Sequence, residues 1–123
     1  MPKTILIVDD EADLVKVTAF RLKSLGYNVV TGVNGQEALD LIKEKHPDLV
    51  LLDLRLPVMN GRDVCKTVKA DPGLKDIPIV MFTASAEQIS VQAKEAGADG
   101  FLVKPFEQEQ LIAILDKFLA GGR

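Results

Sequence analysis

The 123-residue chain has a formal net charge of −3, with 47% hydrophobic and 27% charged residues. That is the make-up of one globular domain, and the acidic balance argues against nucleic-acid binding by this chain alone. No apolar run approaches the ~20 residues of a membrane helix, the N-terminal apolar run is too short for a secretion signal, and a lone cysteine, Cys65, excludes an internal disulfide and fits a reducing, cytoplasmic setting.

In chain order, Ile5–Val8 is an uninterrupted apolar run that stops at Asp9 and Asp10, with Glu11 and Asp13 close behind. Four apolar residues in a row predict a strand buried on both faces. Residues 11–25 put Val15, Ala19 and Leu22 on one helical stripe, and Gly26 stops it. Tyr27–Val30 predicts a second strand, ending at Thr31 and Gly32. Residues 35–45 carry Ala38, Leu39, Leu41 and Ile42 at helical spacing before Pro47. Leu49–Leu52 predicts a third strand ending at Asp53, and residues 61–70 a helix with Val64, Cys65 and Val68 inward. Ile77–Phe82 predicts a fourth strand ending at Thr83, and residues 86–96 a helix on Ile89, Ala93 and Ala96 that Gly97 stops. Phe101–Val103 predicts a fifth strand ending at Lys104 and Pro105, and residues 107–119 a last helix on Leu111, Leu115 and Phe118.

Five strand–helix repeats favour an α/β fold: a doubly wound, flavodoxin-like five-stranded parallel sheet in strand order 2-1-3-4-5, as a single domain over residues 1–123. Ligands of such sheets sit outside the carboxyl ends of the strands, at the point where the strand order reverses. Those ends hold Asp9, Asp10, Asp53, Thr83 and Lys104. Three carboxylates in one pocket repel one another by about 4 kcal/mol per pair at ~4 Å and an effective dielectric near 20. A divalent cation and one ammonium neutralise them. Oxygen-only ligands, with no histidine or thiol at the strand ends, point to Mg²⁺ or Mn²⁺. The loop after the first strand, DDEAD, lacks the glycines of a phosphate cradle, which disfavours a flavin or nucleotide site.

Four stretches then carry a family resemblance: IVDD at 7–10, LLDLRLPVMNG at 51–61, FTA at 82–84 and FLVKPF at 101–106. Together, in this order and each at a strand end, they make the whole chain resemble the receiver domain of a two-component response regulator. The resemblance implies that Asp53 accepts a phosphoryl group, and that Asp10, Asp53 and the backbone carbonyl of Arg55 bind Mg²⁺ directly, with Asp9 acting largely through water. It implies that Thr83 hydrogen-bonds the phosphoryl group and Lys104 pairs with it. It implies that Thr83 and Phe101 form a switch reshaping the face made by helix 86–96, strand 100–103 and helix 107–119. The expected phosphodonor is a sensor histidine kinase or a histidine phosphotransfer protein. The expected output is a downstream protein or domain, with the chain a monomer or a phosphorylation-linked dimer. On this reading the protein is not a turnover enzyme, although it catalyses its own phosphorylation and dephosphorylation. The motif also suggests a cis Lys104–Pro105 peptide.

Plainer readings stand beside these. Asp9 and Asp10 are candidates for a helix cap and first-turn acid, Asp53 for a turn opener, Thr83 for a cap, Lys104 for a solvated lysine and Phe101 for core. His46, before Pro47, reads as a surface loop residue and Cys65 as a packing residue. A metal-dependent phosphoester hydrolase and a non-phosphorylated interaction module are the other functional readings. A dehalogenase-type phosphatase would want a second acid two residues after the nucleophile, where this chain has Arg55. Arg55 and Ser85, each two residues beyond a site residue, are placed to gate water. Leu14 and Val17, off the core stripe of the first helix, are candidates for docking the phosphodonor; Ile112 and Leu119 are candidates for an output or dimer face.

Overall fold

A computed structural model describes residues 2–83 and 89–119. Ala84, Ser85, the expected first turn of the fourth helix, the Ile89 side chain and the 121–123 tail lie outside the described residues. Strands β1 (Thr4–Val8), β2 (Asn28–Gly32), β3 (Leu49–Asp53), β4 (Ile79–Thr83) and β5 (Gly100–Val103) alternate with helices α1 (Ala12–Ser24), α2 (Gly35–Lys45), α3 (Gly61–Ala70), α4 (Ile89–Ala96) and α5 (Gln108–Leu119). All strand pairs are parallel, in the order β2-β1-β3-β4-β5. Alternation of strand and helix leaves crossover connections as the only way to join neighbours, so the predicted doubly wound sheet is the one formed.

Local chemistry sets the strand limits. β2 starts at Asn28 rather than Tyr27 because the Tyr27 N–H still closes the end of α1 on Leu22 O at 3.2 Å. β4 starts at Ile79 rather than Ile77 because Ile77 N–H caps Leu74 O at 3.0 Å and Pro78 has no N–H to give. At the other end, β3 and β4 each run one residue past their apolar stretch. Asp53 and Thr83 are therefore the last rungs of the ladder, paired with Phe82 and Val103.

The central strands are buried on both faces, which explains why they read as continuous apolar runs. On one face Leu6, Val8, Leu52 and Met81 meet Ile42 of α2, Val64, Cys65 and Val68 of α3, and Ala93 and Ala96 of α4. On the other, Ile5, Ile7, Leu51, Val80 and Phe82 meet Val15 and Leu22 of α1 and Leu111, Leu115 and Leu119 of α5. Each fully buried aliphatic side chain contributes about 1.5–3 kcal/mol. Leu119 is thus part of the core and is not available for an output face, while Ile112 is half-buried. At the end of a helix stripe a one-residue change of phase decides which side chain turns inward. Here Leu119 does, and Phe118 packs half-buried at the rim near Gly100.

Asn34 and Asn60 cap α2 and α3, each side-chain oxygen accepting from the N–H three residues on at 2.9 Å. α1 has no such cap: its N-cap is Glu11, without a side-chain cap bond. The cap readings of Asp9 and Asp10 are therefore corrected, and both carboxylates are left for the site. Among the described residues no helix is long and apolar enough to cross a membrane.

Candidate functional site

β1 and β3 lie side by side, yet the chain leaves β1 toward β2 on one side of the sheet and takes up β3 on the other. The crevice this creates at their carboxyl ends is the switch point. Asp9 follows β1 directly and is fully buried. Its Oδ1 accepts the Glu11 N–H at 2.9 Å, and its Oδ2 accepts from Lys104 Nζ at 2.6 Å. Asp53, also buried, accepts the Arg55 N–H on Oδ1 at 3.1 Å and Lys104 Nζ on Oδ2 at 3.1 Å. Asp10 is exposed and lines a cleft of about 550 Å³ with Leu54, Arg55, Asn60, Arg62 and Gln92. One ligand oxygen from each of Asp9, Asp10 and Asp53 lies within 4.8 Å of the others.

Lys104 is held from several sides. Its side chain is 10% exposed, and besides the two aspartates its Nζ reaches Glu11 Oε1 at 3.5 Å. The ammonium also stands over the Phe82 ring, 4.9 Å from the centroid. Phe106 packs edge-on against that ring at 6.2 Å. The Lys104–Pro105 peptide is cis, as the motif suggests, and Lys104 N–H donates to Thr83 O at 2.8 Å.

The electrostatics follow from burial and pairing. Burial pushes the Asp53 carboxyl up to about 6, against the opposing pull of the Arg55 N–H and the Lys104 charge, while Asp9 adds to the rise. Burial alone would lower the Lys104 ammonium. The hydrogen bond to Asp9 and the charge of Asp53 outweigh it and hold Lys104 above the ordinary lysine value. Such a cluster offers an oxygen-rich cup for a hard divalent cation, a carboxylate nucleophile at its base and a cation on one wall. Cys65 has no part in it: its thiol is buried in the α3 packing and pushed up to about 11 by that burial.

Asp9, Asp10, Asp53 and Lys104 are thus brought together, and Thr83 is buried at the adjoining strand end. Phe101 is not in the cup. It lies on edge strand β5, is 44% exposed, and lines a surface groove with Ala98, Ile114 and Lys117. Three features of the site were not found from the sequence: the reach of Glu11 to Lys104, the Phe82 ring under the ammonium, and the tight seat of Gly61. A Cβ on Gly61 would stand 2.1 Å from Asp53 O. The glycine that opens α3 so close behind Asp53 was the available signal for the last.

A family model described as the response regulator receiver domain matches residues 5–116. The chain belongs to that family. Among similar proteins, a DNA-binding response regulator, MtrA, of Mycobacterium tuberculosis (strain ATCC 25618 / H37Rv) is 43% identical over 114 residues, covering 92% of this chain and 49% of its own length. A probable transcriptional regulator, ycf27, of Porphyridium aerugineum is 39% identical over 110 residues, covering 89% of this chain and 45% of its own. The chain therefore spans about half the length of these curated relatives. Among solved structures, a putative response regulator from Chloroflexus aurantiacus superposes with a TM-score of 0.91 at 38% identity, over 98% of this chain and 99% of the other. The receiver domain of the sensor histidine kinase PA1611 from Pseudomonas aeruginosa does so with a TM-score of 0.89 at 31% identity, over 97% and 98%. That receiver carries a magnesium ion coordinated in its active site cleft. As a receiver domain, this chain is a signalling module of a two-component system.

Proposed function

We propose that this receiver accepts a phosphoryl group on Asp53 from a phosphohistidine donor, a sensor histidine kinase or a histidine phosphotransfer protein, in a Mg²⁺-dependent reaction. The observation that carries this reading is the bridge made by Lys104 Nζ between Asp9 Oδ2 and Asp53 Oδ2, at 2.6 and 3.1 Å, on the wall of an otherwise acidic cup. A lysine spent there has a purpose if negative charge arrives at Asp53.

The residues fit a divalent cation: three carboxylates with convergent oxygens and no nitrogen or sulfur donor among them. Asp10, Asp53 and the backbone carbonyl of Arg55 would hold the cation directly, as the receiver resemblance implies. Asp9, fully buried, would act largely through water, as the same resemblance implies. Bound there, the cation neutralises charge on the transferring phosphoryl oxygens; Mn²⁺ has the same ligand preference and is a substitute. An ionised Asp53 oxygen attacks phosphorus in line. The new O–P bond forms as the P–N bond breaks, and its electron pair leaves with the donor imidazole. The acyl phosphate then replaces one carboxylate charge with about −2. Lys104 turns from Asp9 toward the phosphoryl oxygens, and the Thr83 hydroxyl meets them from β4.

The same residues set the lifetime of the acyl phosphate, so the domain is a switch and not a turnover enzyme for external substrates. The movement at Thr83 passes to Phe101 and to the α4–β5–α5 face, where a downstream protein or domain reads it. The relatives that bear DNA-binding or transcriptional names extend well beyond the matched segment, and this chain, with its net charge of −3, is not itself the DNA-contacting part. The donor docks where α1 meets the β5–α5 connection. Leu14, half-buried, and Val17, 51% exposed, line a groove there of about 320 Å³ with Arg21, Pro105 and Phe106, beside Lys104.

The test is intact mass after incubation with Mg²⁺ and a small acyl-phosphate donor. One phosphoryl adduct that is lost in Asp53→Asn supports the switch. Absence of both an adduct and phosphate release refutes it in favour of an interaction module. Rapid turnover of ordinary phosphoesters refutes it in favour of a hydrolase.

A further inference from the structure

At the end of the sheet opposite the acidic cup, Lys69 in the last turn of α3 makes three hydrogen bonds through one ammonium. Nζ donates to Lys75 O at 2.9 Å, Ile77 O at 2.8 Å and Asp99 Oδ2 at 2.8 Å. An ammonium has three hydrogens, so its donors are fully used. Asp99 in turn grips the first residue of β4: its Oδ2 accepts the Ile79 N–H at 2.8 Å, and its own N–H donates to Ile79 O at 2.8 Å. The α4–β5 corner rests on the same lysine. Gly97, at φ 83, ends α4 with its N–H on Lys94 O, and a Cβ there would meet the Lys69 side-chain methylenes at 3.4 Å. Lys69 therefore joins α3, the α3–β4 connection, the start of β4 and the end of α4 at one point.

The rest of α4 is held differently. Its buried side chains among the described residues are Ala93 and Ala96, both in the final turn, while Val91 is 54% exposed and Gln92 borders the cleft beside Asp10. Thr83, where the proposed switch acts, is at the far end of β4 from Ile79. At ~3.3 Å per residue the two are about 13 Å apart. One end of α4 thus faces the site and the other is tied down.

We infer that Lys69 is a positioning residue of the switch: by pinning the α4–β5 corner through Asp99, it makes α4 answer phosphorylation by swinging about its Gly97 end instead of sliding as a whole. The inference rests on Asp53 as the phosphoacceptor for its trigger, but the pin itself is a property of the resting protein. Without the pin, the same push at the site end would be spread along the helix into the corner and dissipated there.

Two measurements test it on the whole chain. In the resting protein, Lys69→Met is expected to speed hydrogen exchange at the Gly97, Ala98 and Asp99 amides roughly tenfold, leaving amides of β1 and α5 unchanged. Asp99→Asn, which keeps an acceptor for Ile79 N–H but removes the charge facing Lys69, gives a smaller change at the same amides and guards against misfolding of the first variant. Unchanged exchange at those three amides in both variants overturns the pin. In the second measurement, amide shifts are compared with Mg²⁺ alone and with Mg²⁺ and beryllofluoride. The wild type is expected to respond at residues 89–92 and to stay still at 97–99, and Lys69→Met to respond at both. Equal response at both ends of α4 in the wild type, or the same pattern in both proteins, overturns the swing. A wild type that takes no phosphoryl group by intact mass defeats the phosphoacceptor reading instead, and the resting exchange rates still decide the pin.

Discussion

Lys104 Nζ lies closer to Asp9 than to Asp53, at 2.6 Å against 3.1 Å. The resting lysine is thus held chiefly by the carboxylate that is not the proposed nucleophile, and it offsets two buried negative charges at once. Removing it leaves both uncompensated. Lys104→Met should lose about 3 kcal/mol of stability at neutral pH without metal, the usual cost of breaking a buried ion pair from one side. The more negative cup should then gain more from metal. Millimolar Mg²⁺ should raise the wild-type melting temperature and raise that of Lys104→Met further. No shift in the wild type, or a smaller shift in the variant, would count against the account of these carboxylates.

The Asp53 carboxyl gives a pH dependence with a definite sign. Its native value is pushed up to about 6 from an ordinary value of 3.8, mainly by burial. Between those values the native state binds more protons than the unfolded state, so this group's contribution to stability falls as pH rises from 3.8 to 6. Above that window the ionised group is a net burden. In metal-free protein at pH 7, Asp53→Asn should therefore be more stable than wild type by about 3 kcal/mol, and the difference should vanish near pH 4. Denaturant melts of both proteins across that range are the check. A gap that is constant with pH sinks the assignment.

The same value governs reactivity. Only the carboxylate attacks phosphorus, so phosphorylation by a small acyl phosphate should fall tenfold per unit as pH drops below the apparent Asp53 value. Because bound Mg²⁺ favours the charged form, the midpoint in saturating Mg²⁺ should lie below the midpoint at limiting Mg²⁺. Adduct formation measured by intact mass at two metal concentrations tests this, and a midpoint that moves upward with metal would falsify it.

Much of this site was legible in the sequence because of one coincidence of geometry. In a parallel sheet buried on both faces, the place where an apolar run ends is also the carboxyl end of the strand. Asp9, Asp53, Thr83 and Lys104 could therefore be assigned to one rim before any contact was known. What could not be read were contacts between segments far apart in the chain. The approach of Glu11 to Lys104 spans 93 residues and that of Lys69 to Asp99 spans 30. Nothing local to either pair marks it. The exposure of Phe101 was equally hidden: the predicted order already put β5 at the edge, but how much of an edge strand the neighbouring helices leave uncovered depends on contacts between distant segments. Leu119 was misread for a different reason: the inward direction at a helix end depends on where α5 meets the sheet, and both Leu119 and the half-buried Phe118 pack on the core there.

Gly61 gives a prediction about position rather than charge. A methyl group there would fall 2.1 Å from Asp53 O and 3.1 Å from Leu54 Cα, both backbone atoms that cannot turn aside. Gly61 N–H also closes on Leu54 O at 3.0 Å, so the start of α3 cannot back away without losing that bond. Gly61→Ala should cost about 2–3 kcal/mol and lower the rate of adduct formation more than the amount of folded protein explains, because the strand end that aims Asp53 must shift. Normal adduct formation per folded molecule would show that Asp53 tolerates the displacement.

Val58 is the one β-branched residue that the backbone holds at positive φ, at 71°, among the described residues. Met59 N–H donates to Pro57 O across it at 2.8 Å, the three-residue bond of a γ-turn. A branched side chain in that region costs about 1–3 kcal/mol, and here little burial repays it, because Val58 is 80% exposed. Glycine removes the clash but adds freedom to the unfolded chain worth roughly 0.5–1 kcal/mol. Val58→Gly should therefore stabilise the protein by about 1 kcal/mol and raise its melting temperature by about 4 °C. Val58→Ala, which keeps the Cβ that causes the strain, should gain much less. Since the cleft beside Asp10 is lined by Leu54, Arg55, Leu56 and Pro57 and not by the exposed Val58, the rate of phosphoryl uptake should be unchanged in both. A loss of stability in Val58→Gly would mean that the valine side chain makes a contact worth more than the strain it imposes.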